Sequence, residues 1–170
     1  EFEIRYDGED IHGLDLVFGD APAKPVLPEW IANPRNGHRY RVVEEDGWFE
    51  CHQTAISMDA HLVTIEDAAE LAWLVAAFGD EEPFWIGLTD ERREGDWEWV
   101  TGEPLEFTNW AEAQPQDGHA TGADYALMSW LPTPDPRGRW RAVDPTTSDW
   151  HRVRKATVEK DATAPVSPPR

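Results

Sequence analysis

Residues Phe84–Trp110 read FWIGLTDERREGDWEWVTGEPLEFTNW. The run opens on Phe84–Asp90, almost wholly apolar up to a final Thr-Asp pair, the pattern of a strand buried on both faces. Asp96–Gly102 (DWEWVTG) then alternates in polarity and ends in a glycine turn, as a second strand would. Asn109-Trp110 leads into a different kind of segment. Phe107–Tyr125 (FTNWAEAQPQDGHATGADY) is long and polar, with one tryptophan, one proline, two glutamines and two aspartates. Stretches of this shape often wrap a metal ion or a sugar.

Working outward, GHRYRVV (37–43) reads as a strand. Trp48, Cys51, His52, Ala55 and Ile56 follow at helical spacing. HLVTI (61–65) is a short strand or an extended link. Thr64-Ile65-Glu66-Asp67 has the form of a capping box. It predicts a helix with Ala68, Leu71, Ala72, Val75 and Phe78 on one face and Gly79 as its stop. Beyond the polar loop, YALMSW, RGRWRAV and HRVRKATVEK read as three more strands. Upstream, FEIRY and LDLVF alternate as two short strands, and Pro22, Pro25, Pro28 and Pro34 stiffen the link that follows. The expected organisation is an N-terminal extension (1–36), a main domain (37–160) and a flexible proline-rich tail (161–170). Two helices followed by antiparallel strands make the fold class α+β.

Composition narrows the function. The 170 residues carry 15 Lys plus Arg against 34 Asp plus Glu, a formal net charge of −19. A chain this acidic repels nucleic acid and anionic membrane, so neither is expected as a partner. It would instead concentrate cations, or tolerate high salt. The longest apolar run, LAWLVAAF (71–78), is far short of the roughly 18 residues a membrane helix needs. Hydrophobic residues make up 40% and include ten tryptophans, enough for a real core. The single cysteine, Cys51, excludes an internal disulfide. It reads as a small buried thiol, because nothing around it supplies a base or positive charge.

Taken together, HLVTI, WIGLTD, the Trp-x-x-Gly-x-Pro turn at 99–104, the Asn109-Trp110 pair, the proline loop and GRWRAV resemble the C-type lectin-like domain, over about Gly37 to Lys160. The resemblance implies two helices flanking small antiparallel sheets, with a long loop region that carries the ligand. It makes Trp85, Trp99 and Trp110 core supports of that loop, while Trp97, Trp130 and Trp150 could lie at the surface. Secreted members of the family hold two disulfides. The matching positions here are Ala55 with Val158, and the neighbourhoods of Tyr125 and Pro145. Their joint loss suggests a bacterial or viral member, or a reducing compartment. The expected setting is the outside or surface of a bacterium, with the cytoplasm as the alternative.

In sugar-binding members a calcium ion in the long loop chelates two sugar hydroxyls. Calcium takes six to eight oxygen ligands, several of them charged. The resemblance places its ligands at Gln114-Pro115-Gln116, at Ala123, and at Arg141-Ala142 after Trp140. This set lacks the carboxylates, and an arginine opposes the ion, so the primary calcium site is expected to be absent. The bond before Pro115, cis in calcium-loaded relatives, is still expected to be cis. An auxiliary calcium site in the family matches Asp90, Glu94, Asp117 and Asp124, all carboxylates. That site could hold one Ca²⁺.

The function expected is a non-enzymatic recognition module that binds a protein or glycan through Gln114, Gln116, His119, Trp130 and Arg141, as part of a larger multidomain protein or assembly. Arginine and tryptophan favour binding hot spots. Ordinary solvated loop polarity is the plain alternative for each residue. A structural or assembly module of a larger surface protein or particle is the second reading. An enzyme of the formylglycine-generating type is the third; its cysteines are missing, and no motif with a catalytic mechanism appears. The six histidines (12, 38, 52, 61, 119 and 151) are scattered singly.

Overall fold

A computed structural model of the chain describes residues 29–79, 82–115, 122–129, 137–145 and 153–162. The expected strands FEIRY and LDLVF and most of the proline-rich tail lie outside the described residues. In chain order the elements are β1 (Ile31–Ala32), β2 (Arg39–Glu44), α1 (Trp48–Ser57), β3 (His61–Leu62), α2 (Ala68–Phe78), β4 (Phe84–Thr89), β5 (Glu98–Trp99), β6 (Tyr125–Ser129), β7 (Arg139–Val143) and β8 (Lys155–Lys160).

The strands form one mixed sheet rather than separate small ones. Its order is β1-β2-β8-β4-β6-β7, with β3 on β8 and β5 on β4. The pairings are antiparallel except where Trp85 of β4 meets Ala156 of β8 in parallel. Every residue of β4 is buried, as its unbroken apolar run requires. Gly87 explains itself: a Cβ there would lie 2.6 Å from the Leu62 carbonyl oxygen and 2.9 Å from Val100 Cγ2. The backbone of β4 passes too close to its neighbours for any side chain at that point.

Two helix faces differ from the sequence pattern. In α1 the buried residues are Trp48, Cys51 and Ala55; Ile56 is 54% exposed. The capping box at the start of α2 sits three residues later than expected. Asp67 is the N-cap and accepts from Ala69 N and Glu70 N. Glu70 reaches back to accept from Glu66 N at 2.9 Å. The buried face of α2 is therefore Glu70, Leu74 and Phe78, with Ala68 and Ala72 exposed. The reason is Glu70 itself: its carboxylate accepts from Tyr40 Oη at 2.5 Å and from Asn36. Burial raises its pKa, against the lowering effect of the hydrogen bonds from Tyr40 and from Glu66 N.

The core falls into two clusters. One gathers Tyr40, Val63, Ile65, Leu74, Ile86, Leu88, Trp99 and Trp140 under α2 and the long loop. The other gathers Trp48, Cys51, Ala55, Leu62, Trp85, Leu127, Ala156 and Val158 under α1. Ala55 and Val158, the matched positions of the first family disulfide, are both fully buried in this second cluster, so apolar packing occupies the place of that cross-link. Residues before Gly37 join the body too. Trp30 packs on the second cluster, with Lys160 Nζ over its ring.

Candidate functional site

The long loop is anchored at its entry by the Asn109-Trp110 pair. Trp140 N donates to Asn109 O and Ala111 N donates to Trp140 O, both at 2.9 Å. The Asn109 side chain donates to Gly138 O at 2.8 Å and accepts from Arg139. The loop is thereby stitched to β7 along its first turn. Trp140 lies fully buried at the centre of this junction. Trp99, Phe107 and Trp110 meet its ring edge-on, with centroids 5.7–5.8 Å away. This is the geometry the aromatic quadrupole favours. Trp85 and Trp99 are core residues as expected, and Trp110 is partly buried against that core. Trp97 stacks its edge on Trp110 at 4.8 Å, half-buried.

Ala113, in the left-handed region at φ 58°, turns the chain into Gln114-Pro115, whose peptide bond is cis. The Gln114 side-chain carbonyl then accepts from Ala142 N at 2.9 Å. Arg141 and Ala142 sit on β7 opposite Leu127 and Ala126. Gln114 and Arg141 are thus neighbours, both half-buried. Among the described residues the donors at this place are poor ones for a calcium ion: the Gln114 carbonyl already accepts from a backbone amide, and Arg141 and Ala142 offer no oxygen side chain. Gln116, His119 and Trp130 lie outside the described residues.

The auxiliary set is partly assembled. The β4–β6 register places Thr89 opposite Tyr125. Asp124 O therefore accepts from Thr89 Oγ1 at 2.7 Å and from Asp90 N at 3.2 Å. Asp90 is buried, and its Oδ2 accepts from Gly95 N at 3.0 Å, which closes the turn that carries Glu94. Glu94 is exposed on that turn. Asp90 and Asp124 are brought together; the carboxylate oxygens of Asp90, Glu94 and Asp124 do not all come within 4.8 Å of one another. Asp117, the fourth of the set, lies outside the described residues. The donor types, all oxygens, are those calcium takes.

Two features were not legible as sites in the sequence. A cleft of about 470 Å³ lies between α1 and β5, lined in part by Trp48, Phe49, His52, Glu91, Glu98 and Thr101. Phe49, 60% exposed, stands at its edge. Burial lowers the pKa of His52. The other feature is a group of three ligand-type side chains, His38, Glu159 and Asp161. Only strand register joins these residues, so no local motif announces them. Cys51 is buried as expected, and burial pushes its thiol up to about 12.

This architecture has known counterparts. Residues 44–149 match the model of the lectin C-type domain. The chain belongs to the C-type lectin domain family. It is 30% identical over 133 residues to human C-type mannose receptor 2, a match covering 71% of this chain and 9% of that protein. It is 33% identical over 72 residues to human C-type lectin domain family 17, member A, covering 42% of this chain and 19% of the relative. The chain thus spans a small part of both curated relatives. Among solved structures it resembles the carbohydrate-recognition domain of the human scavenger receptor C-type lectin, at 28% identity and a TM-score of 0.62. That likeness covers 79% of this chain and 97% of the other. Among the described residues, no helix is long and apolar enough to cross a membrane.

Proposed function

We propose that this C-type lectin domain is a non-enzymatic recognition module whose long-loop face binds a glycan or a protein without a calcium bridge. One observation carries the reading. The Gln114 carbonyl, which the family resemblance would aim at the primary calcium, accepts from Ala142 N at 2.9 Å, and Arg141 precedes Ala142 on β7. A guanidinium at that place offers bidentate donors for carboxylate, sulfate or hydroxyl groups in place of an ion. The named relatives are a receptor and lectins, which supports binding rather than catalysis and a setting outside the cell or at its surface. Arrays of glycans and of extracellular proteins, probed with the wild type and with Arg141→Ala, test the proposal. Hits retained by the wild type and lost by the variant, with an unchanged circular dichroism spectrum, are expected. Hits indifferent to Arg141 would move the binding surface elsewhere.

The structural or assembly role is the second reading. Phe49 and Ile56 favour it: they lie seven residues apart on α1, and both are exposed large hydrophobics.

A further inference from the structure

We infer that His38, Glu159 and Asp161 form a binding site for a zinc-class divalent ion, remote from the long loop and independent of it. The site is built by register. Glu159 of β8 is paired with Tyr40 of β2 on one side and with His61 of β3 on the other. Opposed residues of an antiparallel pair share a face, and residues two apart along a strand share it as well. Tyr40, Glu159 and His61 therefore point the same way. His38, two residues before Tyr40, and Asp161, two residues after Glu159, extend the same face.

Glu159 is 1% exposed and held on every side. Its Oε1 lies 2.6 Å from His38 Nδ1. Its Oε2 accepts from Thr64 N at 3.1 Å and from Thr64 Oγ1 at 3.3 Å. A buried carboxylate needs a cationic partner, and the one it meets is an imidazole, which also ligates metals. Asp161, by contrast, has its side chain 79% exposed. It leaves the site open to solvent, so an ion can enter.

The distances suit a small tetrahedral ion. Ligand atoms of His38, Glu159 and Asp161 all lie within 4.8 Å of one another. Ligand atoms bound to zinc at 2.0–2.2 Å stand roughly 3.3–3.6 Å apart. The His38–Glu159 contact must open by about 0.7 Å as an ion replaces the shared proton, within the reach of small side-chain rotations. One nitrogen and two carboxylates make a ligand set for zinc and its neighbours, and too few oxygens for calcium.

A second histidine stands behind Asp161. His61 Nδ1 lies 2.9 Å from Leu62 O, which can only accept, so Nδ1 carries a proton. Its Nε2 lies 3.4 Å from Asp161 Oδ1, at the open side of the site. A ring held by its second nitrogen on a backbone carbonyl is also how ligating histidines are commonly fixed.

The test uses the full chain in buffer with millimolar calcium, which occupies any oxygen-only site. Zinc is titrated calorimetrically, and cobalt(II) is added as a spectroscopic stand-in. One equivalent of zinc and visible bands of four-coordinate cobalt are expected. His38→Ala and Asp161→Ala should each weaken zinc at least about tenfold and abolish the bands. Asp161 is exposed, so its variant remains informative even where His38→Ala fails to fold. Zinc affinity unchanged in Asp161→Ala, or calcium displacing zinc at equal concentration, would overturn the inference.

Discussion

Replacing Gly87 with alanine probes the motif that fixes the fold. The added Cβ would meet the Leu62 carbonyl oxygen at 2.6 Å and the Leu62 carbonyl carbon at 3.1 Å. Both are backbone atoms and cannot rotate aside. Restoring an ordinary 3.4 Å contact moves β4 away from β3 by about 0.8 Å, against close packing. That motion strains two hydrogen bonds, Gly87 N to Val63 O at 2.9 Å and Val100 N to Gly87 O at 2.8 Å. Overpacking costs about 1–3 kcal/mol and each weakened bond about 1 more, for a total of about 3–5 kcal/mol. For a domain of this size the melting point falls by roughly 6–20 °C. Gly102→Ala is the control. Gly102 has φ +81° and nothing within 4 Å of its would-be Cβ, so it pays only the backbone cost of about 1–2 kcal/mol. Urea unfolding followed by tryptophan fluorescence measures both. A Gly87→Ala variant no less stable than Gly102→Ala would refute the argument from close approach.

Three further outcomes follow from named residues. If Asp90, Glu94, Asp117 and Asp124 close around a calcium ion, millimolar calcium should raise the melting temperature relative to EDTA, by about 5–11 °C at one hundred times the dissociation constant. Asp124→Ala should lose the shift, and an equal shift in the variant would place the ion elsewhere. The Asp67 carboxyl titrates below its ordinary value of 3.8: the Glu70 N–H lowers it most, desolvation opposes, and the Ala69 N–H and Arg35 add to the lowering. A depressed folded pKa contributes stability above the unfolded value, lost as pH falls through the folded one. Wild type should therefore lose more stability than Asp67→Asn below about pH 4, and parallel pH profiles would count against the cap. Cys51 should resist a thiol reagent in the native state and react on denaturation; prompt native labelling would contradict its burial.

How much was legible depended on whether a residue's role is local. The fully buried β4 was plain because a central strand imprints its environment on every residue. Asn109-Trp110, Trp99 and Trp140 could be placed through the resemblance, but that Trp140 is the hub of the aromatic junction depends on how β7 meets the loop entry, which no local pattern gives. The start of α2 was misread because Thr64-x-x-Asp67 and Asp67-x-x-Glu70 both fit a cap. Tertiary contact between Glu70 and Tyr40 selects the second, and this turns Leu74 inward and Ala72 outward. In α1, Ile56 fits the apolar stripe but faces solvent. The His38–Glu159–Asp161 group was out of reach, since its members come from strand ends more than a hundred residues apart and meet only through β8.

The central claim is recognition without a calcium bridge, and a chelator-matched glycan array tests it most directly. The full chain is applied to the same array in millimolar calcium and in EDTA. The account predicts that whatever glycans bind do so equally in both, because Gln114 is engaged with Ala142 N and Arg141 stands in the place of an ion ligand. Binding to mannose- or galactose-type sugars that appears with calcium and vanishes with EDTA would contradict it.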